Sequence, residues 1–366
     1  MPVGSNGKPG RAPPQIGDHN LRVTLEAIRR DGPLTRLELG RRSGLTSPGI
    51  TNILRRLGED GLITARKRLE PGSGQPSTEF AVNPDGAFGV GIRLDGEVGE
   101  AVVLDLGGRI RGRRSFAGAV DAGVAVRALL LELQQSGVTS PRLLGVGVGV
   151  DESGSAPPPE LQAELRPLKV TVERDCVAAL LAERTFGMGA VDGGMMLILI
   201  KDRIRAGLLL RGVPFSGVHG RAGSIGSMRT GADHVPLDSV AGLGTLRQLL
   251  SEKERACIDS GGDLDLTEVI RGWIHVAAGH LLDAIVATAG FLAPSAILIG
   301  GDLPRHLVNE LIAQMSVERG DTAIRPFITP WISPIRAASF PNGGIALGAA
   351  LLPFFDQLLP SPMATA

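Results

Sequence analysis

The sequence predicts an α/β protein in two units: a small, basic, mainly helical unit first, then a larger unit of alternating strands and helices. Three observations carry this. The 38 basic and 38 acidic side chains cancel, but not locally: residues 1–70 hold 13 Lys/Arg and 7 Asp/Glu, which is +6 and leaves −6 for the remainder. Helix start and stop signals crowd into residues 18–61. From residue 87 to 358, short apolar runs alternate with helical stretches.

A length of 366 residues fits two or three domains at about 150 residues each. The 43% hydrophobic and 21% charged fractions allow a large core and exclude wholesale disorder. Glycine, 51 residues, stands at about twice its ordinary share without a period of three, so collagen is excluded. Tyrosine is absent, and 10 Phe with 2 Trp argue against a surface that stacks single-stranded bases. No apolar run reaches the ~18 residues of a membrane span. Residues 1–17 lack the apolar stretch of a secretory signal, so a cytoplasmic location is expected. Cys176 and Cys257 lack metal-ligand spacing and read as reduced thiols.

In order along the chain, residues 1–17 are rich in Gly, Pro and polar side chains and predict a flexible tail. Asp18 can cap a helix to Asp31, with Leu21, Leu25 and Ile28 on one face. Gly32-Pro33 breaks it. Thr35 and Glu38 form a capping-box pattern that opens a short second helix, ending at Ser43-Gly44. Thr46 caps a third helix, with Pro48 tolerated in its first turn. Ile50, Ile53, Leu54 and Leu57 make its apolar stripe. After Gly61, Leu62–Leu69 and Ser77–Val82 read as strands around a turn-rich connection, Glu70 to Pro76. Three helices and a hairpin in this order predict a winged helix-turn-helix over residues 18–83, with a second domain over 84–366.

In that second domain, Ala87–Leu94, Glu100–Leu106 and Arg109–Phe116 read as a strand meander and Val120–Gln135 as a helix. Leu143–Val150 reads as a buried strand, Glu152–Pro159 as a loop, and Val170–Val172 as a strand leading into a helix to Phe186. Met195–Ile200 and Ile204–Leu210 predict a hairpin, Leu266–Gly290 a long helix, Ala296–Ile299 a strand and Gly344–Leu358 a terminal helix.

In a helix-turn-helix, the second helix of the pair presents its N-terminal side chains to base edges in the major groove. With the apolar stripe turned inward, Ser47, Thr51, Asn52 and Arg55 face out. Asn can pair bidentately with adenine and Arg with guanine. Arg41, Arg42, Arg56, Arg66, Lys67 and Arg68 suit phosphates, and Gln75 lies in the wing.

The stretch Pro33-Leu-Thr-Arg-Leu-Glu-Leu-Gly-Arg-Arg-Ser-Gly-Leu-Thr-Ser-Pro48 resembles the helix-turn-helix of ROK-family repressors. Gly217-Val-His-Gly-Arg-Ala-Gly-Ser-Ile-Gly-Ser-Met228 is similar to the family's G-x-H-G-x-A-G-E-I-G-H-M segment. Glu173-Arg-Asp-Cys-Val-Ala-Ala-Leu-Leu-Ala-Glu183 resembles its E-N-D-A-N-A-A-A-L-A-E helix, and Ile299-Gly-Gly301 and Gly343–Ala350 its C-terminal elements. The resemblance spans residues 18–358. It implies a winged helix fused to a two-lobed, actin-like (ribonuclease-H-like) kinase domain. It also implies a homodimer or tetramer that reads a palindromic operator in double-stranded DNA.

The departures from the family pattern bear on mechanism. Active family kinases carry a D-x-G-x-T phosphate loop; here Gly91-Ile-Arg-Leu-Asp-Gly-Glu97 puts Arg93 at the acidic position. Lys201-Asp-Arg-Ile-Arg-Ala-Gly207 replaces G-T-G-x-G-A-G, with bulky side chains where backbone N–H groups would approach phosphate. The sugar-holding Glu and His positions are Ser224 and Ser227; the asparagines of E-N-D-A-N are Arg174 and Val177. The family's zinc loop has no cysteine here between Thr230 and Leu237. Asp175, at the family's catalytic-base position, remains, with His219. The expectation is a non-enzymatic regulator, a repressor by resemblance, without cofactor or metal. Asp175, His219, Gly223 and Ser224 are its candidate ligand contacts. The effector is open between a common monosaccharide, another small molecule and none. The competing reading is a sugar kinase with an appended DNA-binding domain.

Overall fold

The computed structural model describes residues 13–68, 77–94, 98–118, 121–138, 142–151, 159–189, 193–320 and 332–362. Most of the expected tail and the wing connection with Gln75 lie outside these residues.

The N-terminal unit runs α1 (Pro13–Asp31), β1 (Leu34–Thr35), α2 (Arg36–Ser43), α3 (Ser47–Glu59), β2 (Ile63–Arg68) and β3 (Ser77–Val82). Helix α1 starts earlier than expected, so Asp18 lies inside it rather than capping it, and residues 13–17 belong to a helix rather than a tail. Proline is compatible with a first helical turn, so Pro13 and Pro14 do not delay the start. The capping box at α2 forms: Glu38 N donates to Thr35 Oγ1 at 3.3 Å and Thr35 N to the Glu38 carboxylate at 2.7 Å. Gly44, with φ 65°, ends α2 in the left-handed conformation that glycine adopts without strain. Thr46 stands at the N-cap of α3 but its side chain makes no capping bond, against expectation. Ile50, Ile53, Leu54 and Leu57 are all buried. Strands pair antiparallel in the order β1-β3-β2, the wing closing over the helices.

The rest of the chain builds two lobes on one plan. The first holds β4 (Phe88–Arg93), β5 (Val98–Asp105), β6 (Ile110–Ala117), α4 (Ala122–Gln135), β7 (Leu143–Val150), α5 (Pro159–Glu164), β8 (Val170–Arg174) and α6 (Asp175–Phe186). The second begins with β9 (Met195–Ile200), β10 (Arg205–Leu210), β11 (Val213–Pro214), β12 (Arg229–Thr230), β13 (Val235–Pro236), α7 (Asp238–Ala241), α8 (Leu243–Leu249) and α9 (Glu252–Asp259). It continues with α10 (Glu268–Leu292), β14 (Ala296–Gly301), α11 (Arg305–Gly320), β15 (Ile335–Ala337) and α12 (Ile345–Gln357). The five-stranded sheets are ordered β6-β5-β4-β7-β8 and β11-β10-β9-β14-β15. In each, three antiparallel strands are followed by two parallel ones. Pro159–Glu164 is helical, so the expected loop ends one residue early.

Alternation along β4 and β7 accounts for five of the glycines. Phe88, Val90, Ile92, Val146 and Val148 enter the core with Val126, Leu129 and Leu133 of α4. The intervening glycines meet α12: a Cβ at Gly91 would stand 1.9 Å from Ala346 O, and one at Gly147 1.9 Å from Ala349 O. Bare backbone lets α12 lie directly on the sheet. The same helix touches α6 through Gly348, where a Cβ would fall 1.7 Å from Ala178 O. Because the clash is with backbone, Gly348→Ala is expected to cost about 2–3 kcal/mol by overpacking. Urea unfolding checks this: the midpoint should fall with an unchanged slope, and an unmoved midpoint would refute the close-packing explanation.

Helix α10 is long and apolar enough to cross a membrane by length and composition. Here Ile270, Trp273, Ile274, Ala277, Leu281, Leu282 and Ile285 are buried in the second lobe's core. The winged helix is not loosely tethered: Leu21, Leu25 and Ile28 of α1 share one apolar cluster with Leu351, Phe354 and Leu358. Arg22 donates to the carbonyl oxygens of Phe355 (3.1 Å), Asp356 (3.1 Å) and Leu359 (3.3 Å), gripping the end of α12.

Candidate functional site

Helix α3 presents the candidate reading face. Ser47, Thr51, Asn52, Arg55 and Arg56 are exposed, as are Arg41 and Arg42 on α2 and Arg66 and Lys67 on β2. The face is internally ordered. Arg55 Nη1 donates to both carboxylate oxygens of Glu59 at 2.6 and 2.8 Å, and its Nη2 to Asn52 Oδ1 at 2.9 Å. Thr51 Oγ1 donates to Ser47 O at 2.8 Å. Arg36, which the sequence reading did not single out, donates to Thr51 Oγ1 at 3.4 Å. Arg42 pairs with Asp31 at the end of α1. The exposed pairs contribute little stability, so their arginines can be exchanged onto nucleic acid at small cost.

The second candidate site is the junction between the lobes. Asp175 opens α6 after the last strand of the first lobe; Lys201 follows β9 of the second. Lys201 Nζ donates to Asp175 Oδ2 at 2.9 Å, with 6% and 2% of the two side chains exposed. Burial raises the Asp175 carboxyl above the usual carboxylate range, and Lys201 pulls it back. Its other oxygen, Oδ1, accepts from Cys176 N at 2.6 Å. A second pair ties the lobes: Arg93 Nη2 donates to Asp302 Oδ1 at 2.6 Å. Arg174 Nη1 donates to Ala222 O at 2.7 Å and Arg205 Nη1 to Ser224 Oγ at 2.9 Å. Gly223, with φ 90°, brings the 222–224 loop against β10, and Ala206 N donates to its carbonyl at 2.8 Å. A Cβ there would fall 1.7 Å from Ala206 O.

Of the candidate ligand contacts, the fold places Asp175 and Ser224 at this junction and Gly223 beneath it, whereas the side chain of His219 lies outside the described residues. Ser227 turns back on its own loop, donating to Ser224 O at 3.0 Å. Asp151 and Asp302 were missed because each lies far in sequence from its partner; only the adjacent Ile299-Gly-Gly301 hinted at Asp302. Burial pushes the Cys176 thiol up to about 12, which keeps it protonated and unreactive.

The segment after β9 presents Lys201 and Arg205 side chains engaged with Asp175 and Ser224. At the zinc-loop position, Thr230 Oγ1 bonds His280 Nδ1 at 2.8 Å and Gly231 N donates to Asp283 Oδ2 at 3.0 Å. These bonds pin the β12–β13 turn to α10. Among the described residues, no group of three or more His, Cys, Asp or Glu is placed to hold an ion.

A winged helix-turn-helix ahead of two repeated, mixed five-stranded lobes defines the architecture. A family model, "Winged helix-turn-helix DNA-binding", matches residues 18–64. Among solved structures, a ROK family transcriptional regulator, described as a homologue of the E. coli MLC protein, superposes with a TM-score of 0.70 at 20% identity. That superposition covers 95% of this chain and 99% of the other. A ROK hexokinase from Thermus thermophilus matches at TM-score 0.52 and 19% identity, over 72% of this chain and 97% of its own. A ROK family glucokinase from Streptomyces griseus in complex with glucose and AMPPNP matches at 0.51 and 19%, over 73% and 99%. At these identities the likeness establishes the fold. An uncharacterised curated protein, y4fQ of Sinorhizobium fredii (strain NBRC 101917 / NGR234), is 26% identical over 363 residues, covering 92% of this chain and 91% of the relative.

Proposed function

We propose that this chain is a cytoplasmic, sequence-specific transcriptional regulator of ROK type. It acts as a repressor, and as a dimer or dimer of dimers on a palindromic operator. Its kinase-like domain does not phosphorylate; it assembles the oligomer and senses an effector. The observation that carries this is the pairing of an ordered, exposed face on α3 with a buried Lys201–Asp175 ion pair. A catalytic base must be free to take a proton from a substrate hydroxyl beside an in-line phosphoryl donor. Here that carboxylate is held by an ammonium group, and basic side chains stand where phosphates would lie.

The route from junction to DNA is a packed one. Helix α6 begins at Asp175 and packs along α12, whose end is gripped by Arg22 of the winged helix. A ligand that changes how the lobes sit shifts α12 and, with it, the spacing of two reading heads across a dimer.

Binding-site mapping with the purified chain tests this, paired with ADP release across a sugar panel with magnesium. The expected result is a palindromic site whose affinity falls steeply with salt, and no turnover. Robust turnover abolished by Asp175→Asn, or no specific site at physiological salt, overturns the proposal and favours the sugar-kinase reading.

A further inference from the structure

The exposed strip of α3 treats its two arginines differently. Asn52, Arg55 and Glu59 are spaced three and four residues apart, which stacks them on one face of the helix. Arg55 Nη1 donates to both Glu59 oxygens and Nη2 to Asn52 Oδ1, so both terminal nitrogens are turned along the helix. Among the described residues, its Nε makes no hydrogen bond. Arg55 and Glu59 remain 60% and 59% exposed, so nucleic acid can reach the pair. Arg56, the next residue, and Arg41 on α2 are exposed as well, and among the described residues they make no ion pair. Asp60, directly after Glu59, is exposed and makes no bond to Arg55.

On DNA, two kinds of acceptor compete for such an arginine. A phosphate carries a full negative charge and attracts any free guanidinium. A guanine edge is neutral and offers two acceptors, O6 and N7. Moving Arg55 onto a phosphate costs the fold little, but it uncovers the Glu59 carboxylate beside an anionic backbone, and like charges repel. A guanine edge carries no such penalty. It can take the Nε proton and the remaining Nη2 proton while Glu59 keeps Nη1. We propose that Glu59 determines sequence specificity by neutralising Arg55 toward phosphates and reserving it for a guanine edge. Arg41 and Arg56, which lack an attached carboxylate, supply the sequence-independent grip. Glu59 acts through Arg55, as a positioning residue that itself touches no base. This deepens the regulator reading above and rests on it for the existence of an operator.

The test measures binding of the full chain to the mapped operator and to scrambled DNA across a KCl series. Glu59→Gln keeps the shape and removes the charge. It is expected to tighten scrambled DNA about fivefold and to steepen its salt slope by about one phosphate contact. Operator binding should change much less, so the ratio of the two affinities falls. Asp60→Asn removes an equal charge one residue on without touching Arg55, and should move neither the slope nor the ratio. Both acids are exposed, so both variants should melt with the wild type. A guanine analogue with carbon in place of N7, scanned through the operator, should weaken the wild type about tenfold at a guanine that Arg55→Gln no longer senses. The proposal fails if Glu59→Gln leaves the scrambled-DNA slope unchanged, if Asp60→Asn matches its effect, or if no guanine depends on Arg55. The two failures look different. Without the regulator function, the wild type shows no preferred site; without the role proposed for Glu59, an operator preference exists and Glu59→Gln leaves it intact.

Discussion

Lys201→Met is expected to lower the unfolding free energy by about 3–5 kcal/mol at neutral pH, the cost of leaving one member of a buried pair without its partner. Both side chains are almost wholly buried and meet at 2.9 Å across the lobes. Methionine fills similar space, so the loss is electrostatic rather than a cavity. The double variant Lys201→Met with Asp175→Asn should recover most of it, since two neutral side chains leave no isolated charge. Equilibrium urea unfolding of the wild type, both single variants and the double variant reads this directly. A deficit below about 1 kcal/mol for Lys201→Met would show that the pair is not the buried contact described.

The pH dependence gives the sign. Burial raises the folded-state pKa of Asp175 above its ordinary value, against the pull of Lys201. Without the ammonium it rises further. A carboxyl whose folded pKa exceeds its unfolded pKa binds its proton more tightly when folded. Stability therefore falls as pH rises from the ordinary carboxylate range through the raised pKa, and stays low above it. The deficit of Lys201→Met should be smallest in acid and full-sized at neutral pH. Equal deficits at pH 5 and pH 8 would contradict the assignment.

The second large effect concerns DNA. Asn52→Ala with Arg55→Ala is expected to weaken binding to the mapped operator about a hundredfold, at roughly 1–3 kcal/mol per base-edge contact. Binding to scrambled DNA should change little. Both residues are exposed on α3, so folding should be intact. Arg41→Ala or Arg56→Ala should act differently, weakening operator and scrambled DNA alike and flattening the salt slope by about one phosphate contact each. Fluorescence anisotropy on both DNAs across a KCl series distinguishes the two patterns. If the Asn52/Arg55 variant lost affinity equally on both, α3 would not be the reading helix.

What the sequence made legible was local. The Thr35–Glu38 capping box and the Ile50–Leu57 stripe depend on residues three to seven apart, and both are where the pattern put them. The Gly-Val alternation of Leu143–Val150 also marked a strand, because side chains alternate faces with a period of two. Helices α5, α7, α8, α9 and α11 went unread, although Ser251 and Glu254 carry a capping box that could have revealed α9. The start of α1 was misjudged because Asp18 is a good cap and Pro13 is an equally good first-turn residue.

The junction was half legible. The sequence by itself determined that Lys201, Arg203 and Arg205 crowd together just after the apolar run Met195–Ile200. It could not say what those charges do. Lys201 meets Asp175 at 26 residues' separation, Arg93 meets Asp302 at 209, and Arg22 reaches Phe355 at 333. Local propensity carries no information over such distances. The partners are chosen by how two repeated lobes close on each other and on α1. Capping and periodicity settled which elements form; tertiary packing decided which charges are buried together, because only packing removes the water that would otherwise screen them.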